Sequence, residues 1–239
     1  MMKRIASSSI GEEMSGSAAI QPPSASVEDY VKAIWEVAEA GVASTKEVAG
    51  RLGIAPPSVT NMFVRLQERG FVEYERYRGV SLTERGREEA LRLVRRHRLI
   101  ETFLLEHLGY SWNEVHVEAE RLEHAVSDEF TERLAEFLGH PDHDPHGDPI
   151  PASDGTFEPD DTFPVGEAAA DQRVHISKVS DDASMLAYLG ERGLVPGKLL
   201  EVREVRSLDG VVTVEDEDGE THALGESLAR SVFVRPAPR

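Results

Sequence analysis

The sequence contains no cysteine among its 239 residues. Disulfides, thiolate zinc sites, iron–sulfur clusters and cysteine nucleophiles are therefore excluded, and the composition suits a reducing cytoplasm, the expected location. No apolar run reaches the roughly 18 residues of a membrane span, so none is expected. The N-terminal stretch has no apolar segment of the signal-peptide kind. Residues 1–25 are expected to be a disordered tail, with Met14 an alternative start. Positive charge is scarce as well. Lys and Arg number 26 against 44 Asp and Glu, giving a formal net charge of −18, which at first argues against a nucleic-acid partner. The distribution is uneven: residues 24–100 carry +2, residues 101–164 carry −15 and residues 165–239 carry −5. A slightly basic unit thus precedes an acidic one. The acidic unit suits cation binding, although solvated acidic helix faces produce the same bias.

Along the chain, Ser26 and Asp29 read as a helix start, followed by Tyr30, Val31, Ile34, Trp35, Val37 and Ala38 at helical spacing. Ser44 caps a second helix that ends at Gly53. Ile54-Ala55-Pro56-Pro57 forms a turn, with Pro57 placed in the first turn of a third helix over 58–69. Residues 71–77 and 80–82 read as two strands around Arg78-Gly79. Helix, helix, turn, helix and ribbon is the order of a winged helix-turn-helix, whose third helix enters the DNA major groove. The groove-facing candidates are Pro57, Ser58, Thr60, Asn61 and Arg65, with Arg76 and Arg78 on the ribbon for phosphate. A small helical domain with ordinary polar faces is the plainer reading. The conjunction of element order, Pro-Pro-Ser start and wing arginines outweighs it.

The long helix opened by Thr83-Glu84-Arg85-Gly86 carries Leu93, Val94, Ile100, Leu104 and Leu108 as an apolar stripe, with His97 and Glu101 inside it. A second helix, after the break at Gly109–Asn113, sets His116, Glu120, Glu123 and His124 beside Val115, Ala119, Leu122 and Val126. Imidazoles and carboxylates on a core-facing stripe are costly unless paired or coordinated. A divalent cation between helices would satisfy them together; hydrogen-bonded core histidines are the alternative. Val126, Phe130, Leu134 and Phe137 continue an apolar stripe.

Residues 141–164, with the two before them, are rich in Pro, Asp and His and read as a solvated linker, so His140, His143 and His146 are not assigned to metal. Over 165–239, strands are expected at 174–179, 198–205, 211–215 and 231–234. Turns fall at Asp209-Gly210 and Asp218-Gly219, with a short helix over 183–189.

The blocks VEDYVKAIWEV, IAPPSVTNMFVRLQERGFVEYERYRGVSLTERG, RRHRLIETFL, EAERLEHAVSDE and PHGDPIP occur in one order over roughly residues 26–151. In that order they resemble the diphtheria-toxin-repressor family of metal-dependent transcriptional regulators, of the manganese-responsive type. The resemblance implies a primary site at Asp29, Glu120, Glu123 and His124 and an ancillary site at His97, Glu101 and His116. Asp182 of the C-terminal unit is a possible further ligand, and a helix cap equally. It implies activation by Mn2+, or by Fe2+. Carboxylates at Asp29 and Glu120, where the iron-responsive branch has softer ligands, favour Mn2+. Lys32 departs from the acidic residue of the manganese-type dinuclear site. Glu47 stands where some relatives carry Arg, which weakens phosphate contacts there. The resemblance further implies a homodimer on a palindromic operator of double-stranded DNA, repression of metal-uptake genes, and an SH3-like barrel like that of ferrous-transport accessory proteins.

The expected fold is mainly α with small β. A winged helix-turn-helix over 26–95 leads to metal-binding and dimerisation helices over 96–140, the linker, and an SH3-like β-barrel over 165–239. Two other classes compete. A winged-helix regulator of another ligand would leave His97–His124 structural. A helical metalloenzyme would need Glu-x-x-His on two helices, yet Val94, Asn113 and Arg121 stand three before His97, His116 and His124. No enzyme is expected.

Overall fold

The structure, a computed structural model, describes residues 25–38, 41–206 and 208–238. The expected N-terminal tail lies outside the described residues apart from Ala25. Helix α1 (Ala25–Val37) packs on α2 (Thr45–Leu52), and α2 on α3 (Pro56–Glu68). Ser44 and Glu47 form a reciprocal capping box on α2, the Ser44 amide donating to Glu47 Oε2 at 2.7 Å. Glu47 is therefore occupied in holding its own helix start. Gly53, at φ +64°, ends α2 and turns the chain into α3, where Pro56 and Pro57 fill the first turn. The antiparallel ribbon β1 (Val72–Glu75) and β2 (Gly79–Leu82) pairs Val72 with Leu82 and Glu75 with Gly79, and Ala43 bridges to Val80. Val31, Ile34, Val48, Val59, Phe63, Leu66, Phe71 and Val80 close a core beneath them. Phe63 is fully buried there. Phe63→Ala is expected to cost this core about 3–5 kcal/mol, read as faster amide hydrogen exchange across α1–α3.

Helix α4 (Glu84–Leu108) has 25 residues, long enough at about 1.5 Å per residue to run through two cores. Ala90 belongs to the first, and Leu99, Ile100 and Leu104 to a second with α5 (Val115–Leu122) and α6 (Asp128–Phe137). One continuous helix thus joins the N-terminal domain to the helical core. The second helix stops at Leu122, one turn earlier than expected. Glu123 is its C-cap and His124 stands in the turn that follows. Leu134 is buried, whereas Phe130 is 47% and Phe137 64% exposed.

The segment expected as a solvated linker is partly packed: Asp144, His146 and Gly147 are buried, while His140 and His143 are exposed. His146 accepts the Val179 amide at its carbonyl, seating this loop on the C-terminal unit. That unit is a six-stranded antiparallel sheet. It comprises β3 (Phe163–Pro164), β4 (Arg173–Val179), β5 (Leu199–Arg206), β6 (Val211–Asp216), β7 (Thr221–Leu224) and β8 (Val232–Pro236), in the order β3-β8-β4-β5-β6-β7. The expected closed barrel is not what forms. Among the described residues β3 and β7 remain edges, since β3 is only two residues long and offers too few backbone groups to close the ring. Alternation on β6 sends Val212 and Val214 inward beneath α7 (Ala183–Glu191) and α8 (Glu226–Ser231).

Candidate metal centre

Helix α1 meets the end of α5 through side chains that sequence spacing places far apart. Ligand-capable atoms of Asp29, Glu123 and His124 come within 4.8 Å of one another. His124 Nδ1 stands 2.7 Å from Glu28 Oε2, and Nε2 stands 2.8 Å from Asp29 Oδ1 and 3.6 Å from Glu123 Oε1. If Nδ1–H donates to Glu28, the Nε2 lone pair faces the Asp29 and Glu123 carboxylates, the tautomer found in metal-ligating histidines. Glu28 is itself buried, with Arg96 Nη1 at 3.8 Å; Arg96 in turn bonds Asp128 at 2.5 Å. Glu120, half-exposed, lines the same junction from α5. A cavity of about 470 Å³ lined by Asp29, Lys32, Glu36, Arg51, Glu120 and His124 opens it to solvent. The Asp29 carboxyl is pushed up by burial and by Glu123 and Glu120, against the pull of His124.

Lys32 occupies the middle. Its Nζ donates to Glu123 Oε2 at 2.8 Å, Glu123 Oε1 at 3.0 Å and Glu120 Oε1 at 3.1 Å, and lies 3.1 Å from His97 Nδ1. Burial opposes the charge, but Glu123 and Glu120 outweigh it and hold the ammonium above its ordinary pKa. His97 Nδ1 also stands 2.6 Å from Glu123 Oε2 and Nε2 2.8 Å from Glu101 Oε1. Burial disfavours the imidazolium, yet Glu101 wins and raises His97 to about 10. The two ring nitrogens thus face Glu123 and Glu101, with Lys32 beside Nδ1.

A second cluster begins at Glu101. Oε1 faces His97 Nε2 and His116 Nδ1, the latter at 3.0 Å. Oε2 is buried with no hydrogen-bond partner. Facing it at 3.8 Å is His146 Nδ1, likewise buried, whose nearer acid is Asp181 Oδ1 at 3.1 Å. His146 Nε2 is 2.9 Å from the Trp112 carbonyl, an acceptor only, so Nε2 carries the hydrogen and Nδ1 is left facing acid oxygens. Despite its burial, His146 is raised to about 9 by Asp181 and Glu101. Asp144, close enough to share a ligand with Glu101 and His146, is pushed well up by burial and by Glu101.

The structure therefore gathers Asp29, Glu123 and His124 at one point and His97, Glu101 and His116 at another, with Glu120 between. Asp182 stands apart. Its carboxylate caps α7 by accepting the amides of Ser184 and Met185, and its neighbour Asp181 is the acid that enters the cluster. Glu28, Asp144 and Asp181 join beyond expectation. Glu28 and Lys32 had a readable signal, being i,i+4 along the edge of the apolar stripe of Val27 and Val31. His146, expected in a solvated linker and not assigned to metal, lies in the second cluster with Glu101 and Asp144.

The orphaned Glu101 Oε2 is costly in the bare protein, and one bound cation would satisfy it together with the neighbouring acids and imidazole. Carboxylate oxygens and imidazoles with no sulfur form a set suited to a divalent ion of the manganese or iron type. The residues present fit such an ion.

Elsewhere, Pro57, Ser58, Asn61 and Arg65 are exposed along α3, and Arg76 and Arg78 are exposed at the ribbon tip. Thr60 is half-buried, its hydroxyl returned to the Pro56 carbonyl at 3.3 Å. Arg78 is also paired with Glu75.

A winged helix-turn-helix tied through an acid–imidazole centre to a helical core, with a sheet domain appended, is the build of a metal-dependent transcriptional regulator. Family models match in that order. The N-terminal DNA-binding domain of iron-dependent repressors matches residues 23–80, their metal-binding and dimerisation domain 83–152, and the FeoA domain 163–236. The iron-dependent repressor IdeR of Mycobacterium tuberculosis is 30% identical over 221 residues, covering 87% of this chain and 95% of its own. The diphtheria toxin repressor of Corynebacterium glutamicum is 31% identical over 219 residues, covering 87% and 94%. A solved manganese-dependent transcriptional repressor in complex with manganese superposes with a TM-score of 0.83 at 38% identity, over 88% of this chain and 100% of that one. The chain belongs to the iron-dependent, or diphtheria-toxin, repressor family of metal-dependent regulators.

Proposed function

We propose that this protein is a Mn2+-activated repressor of metal-uptake genes, binding a palindromic operator as a homodimer in the cytoplasm and catalysing no reaction. The observation that carries the reading is the junction itself: α1 of the reading head supplies Asp29 to a group completed by Glu123 and His124 of the helical core. Asp29, Glu120, Glu123 and His124 hold one ion, with Glu28 orienting the imidazole. Glu101, His146 and Asp181, with His97, His116 and Asp144 around them, hold a second. The bound ions supply positive charge that neutralises converging carboxylates. Mn2+ is favoured over Fe2+ by oxygen ligands at Asp29 and Glu120, and the manganese-dependent repressor is among the similar structures.

Without that charge, Asp29 faces Glu120 and Glu123 with Lys32 as the one cationic tie from α1, and the head is held less firmly to α4 and α5. With it, the head is fixed and two α3 helices are set at operator spacing. Only tighter binding of metal by the fixed arrangement can shift this population. Ser58, Thr60, Asn61 and Arg65, behind Pro57, face base edges and phosphates, while Arg76 and Arg78 reach phosphate. Exposed Phe130 and Phe137 on α6 and Leu108 on α4 suit a dimer contact. The functional units are residues 26–95, 96–140 and, beyond the linker, the SH3-like sheet from 165 onward. Selection from a randomised duplex library tests the reading. A palindrome should be enriched with Mn2+ and lost with chelator; equal enrichment in both would overturn it.

A further inference from the structure

Lys32 is 5% exposed, and its ammonium is surrounded by the groups that a divalent ion would use. Both Glu123 oxygens and one Glu120 oxygen accept from it within 3.1 Å, and His97 of the neighbouring cluster lies at the same distance. Glu123 has no exposure to solvent, so this pairing is formed away from water. Asp29 and His124, to which the lysine makes no bond, meet the same Glu123 carboxylate, His124 Nε2 standing 3.6 Å from Oε1. A point charge of one unit with three donors thus sits among the carboxylates of a gap that Asp29 and His124 also line.

We propose that Lys32 is the resident cation of the junction: it takes the place of a second divalent ion between Glu120, Glu123 and His97, limits the junction to one exchangeable ion, and pins α1 to α5 before that ion arrives. The inference rests on the junction being a metal site, as proposed above. Two consequences follow from the geometry. A lysine on a four-carbon stem cannot leave with a chelator, so the metal-free head keeps one of its ties. Replacing the ammonium with a carboxylate both vacates the position and adds a ligand to it.

The test compares the full chain with Lys32→Glu and Lys32→Met, counting bound Mn2+ per protomer by native mass spectrometry and recording Mn2+ electron paramagnetic resonance. Lys32→Glu is expected to hold one more Mn2+ per protomer than the wild type and to show the exchange-coupled spectrum of a carboxylate-bridged pair. Lys32→Met is expected to keep the wild-type count and, without metal, to unfold at a lower temperature, because Glu123 loses its buried partner. A wild-type chain that already shows the coupled pair would overturn the lysine's role alone. So would a folded Lys32→Glu chain with no added ion or, should that variant not fold, a Lys32→Met chain as heat-stable as the wild type without metal. Wild-type metal content unchanged by Glu123→Gln would instead remove the junction as a metal site, and this inference with it.

Discussion

Glu123→Gln abolishes the response of operator binding to Mn2+ while the metal-free chain stays folded: this is the largest effect expected of any conservative substitution. Glu123 is fully buried, and its two oxygens are the acceptors on which Lys32, His97 and the Asp29–His124 pair converge. An amide of the same size keeps the packing and one acceptor oxygen, but removes the negative charge that faces the ion. Losing a supporting partner of a metal ligand typically costs 10–100-fold in affinity, and losing the ligand itself should cost more than about 100-fold. Glu123→Ala is a harsher change. It strands the buried Lys32 charge, and breaking a buried ion pair this way costs about 3–5 kcal/mol. The paired experiment is fluorescence anisotropy of labelled operator against free Mn2+, with Glu118→Gln on the opposite side of α5 as control. An unchanged midpoint in Glu123→Gln would remove this residue from the mechanism.

The second large effect is expected at Gly147→Ala. Gly147 sits at φ +91°, and a Cβ there would stand 2.0 Å from the Ser177 carbonyl oxygen and 2.8 Å from the Lys178 Cα. Both obstacles are backbone of β4, so no side-chain rotation relieves them. Left-handed strain and overpacking cost about 1–3 kcal/mol each, and the simplest relief is to lift the 144–148 loop off the sheet. That loop carries Asp144 and His146, and the sheet domain carries Asp181, so lifting it takes the second cluster apart. The variant should therefore lose one bound Mn2+ per protomer while keeping the junction ion. Native mass spectrometry reads the count directly, and an undiminished count would show that the loop and sheet are not coupled through the centre.

The winged helix was readable because its signals are local. Ser44 and Glu47 cap a helix three residues apart, Pro56-Pro57 opens the next, and alternation marks the ribbon. The polar groups on the α4 and α5 stripes were readable for the same reason, since burial of His97 and Glu101 follows from helical period alone. Asp181 was not legible. Its pairing with His146, itself beside Glu101, joins segments far apart in sequence, and neighbouring Asp182 carried the stronger local signal as a cap, which is the role it plays. His146 was hidden by its surroundings, a Pro- and Asp-rich run that reads as solvated until a tight Gly147 contact seats it on β4. Strand β7 and helix α8 are too short for periodicity to reveal, at four and six residues. Sheet closure depends on the length of β3 and the placing of two edges, and no local pattern encodes either.

The central claim is that a divalent ion at the α1–α5 junction fixes the reading head for DNA. Its most direct test is the affinity of the wild-type chain for its selected operator as free Mn2+ is raised and then removed with chelator, at constant ionic strength because phosphate contacts are salt-sensitive. The account predicts affinity rising by at least about 100-fold, equivalent to roughly 2.7 kcal/mol of differential binding, and returning to its starting value on chelation. Operator affinity that is the same with Mn2+ and with chelator would contradict it.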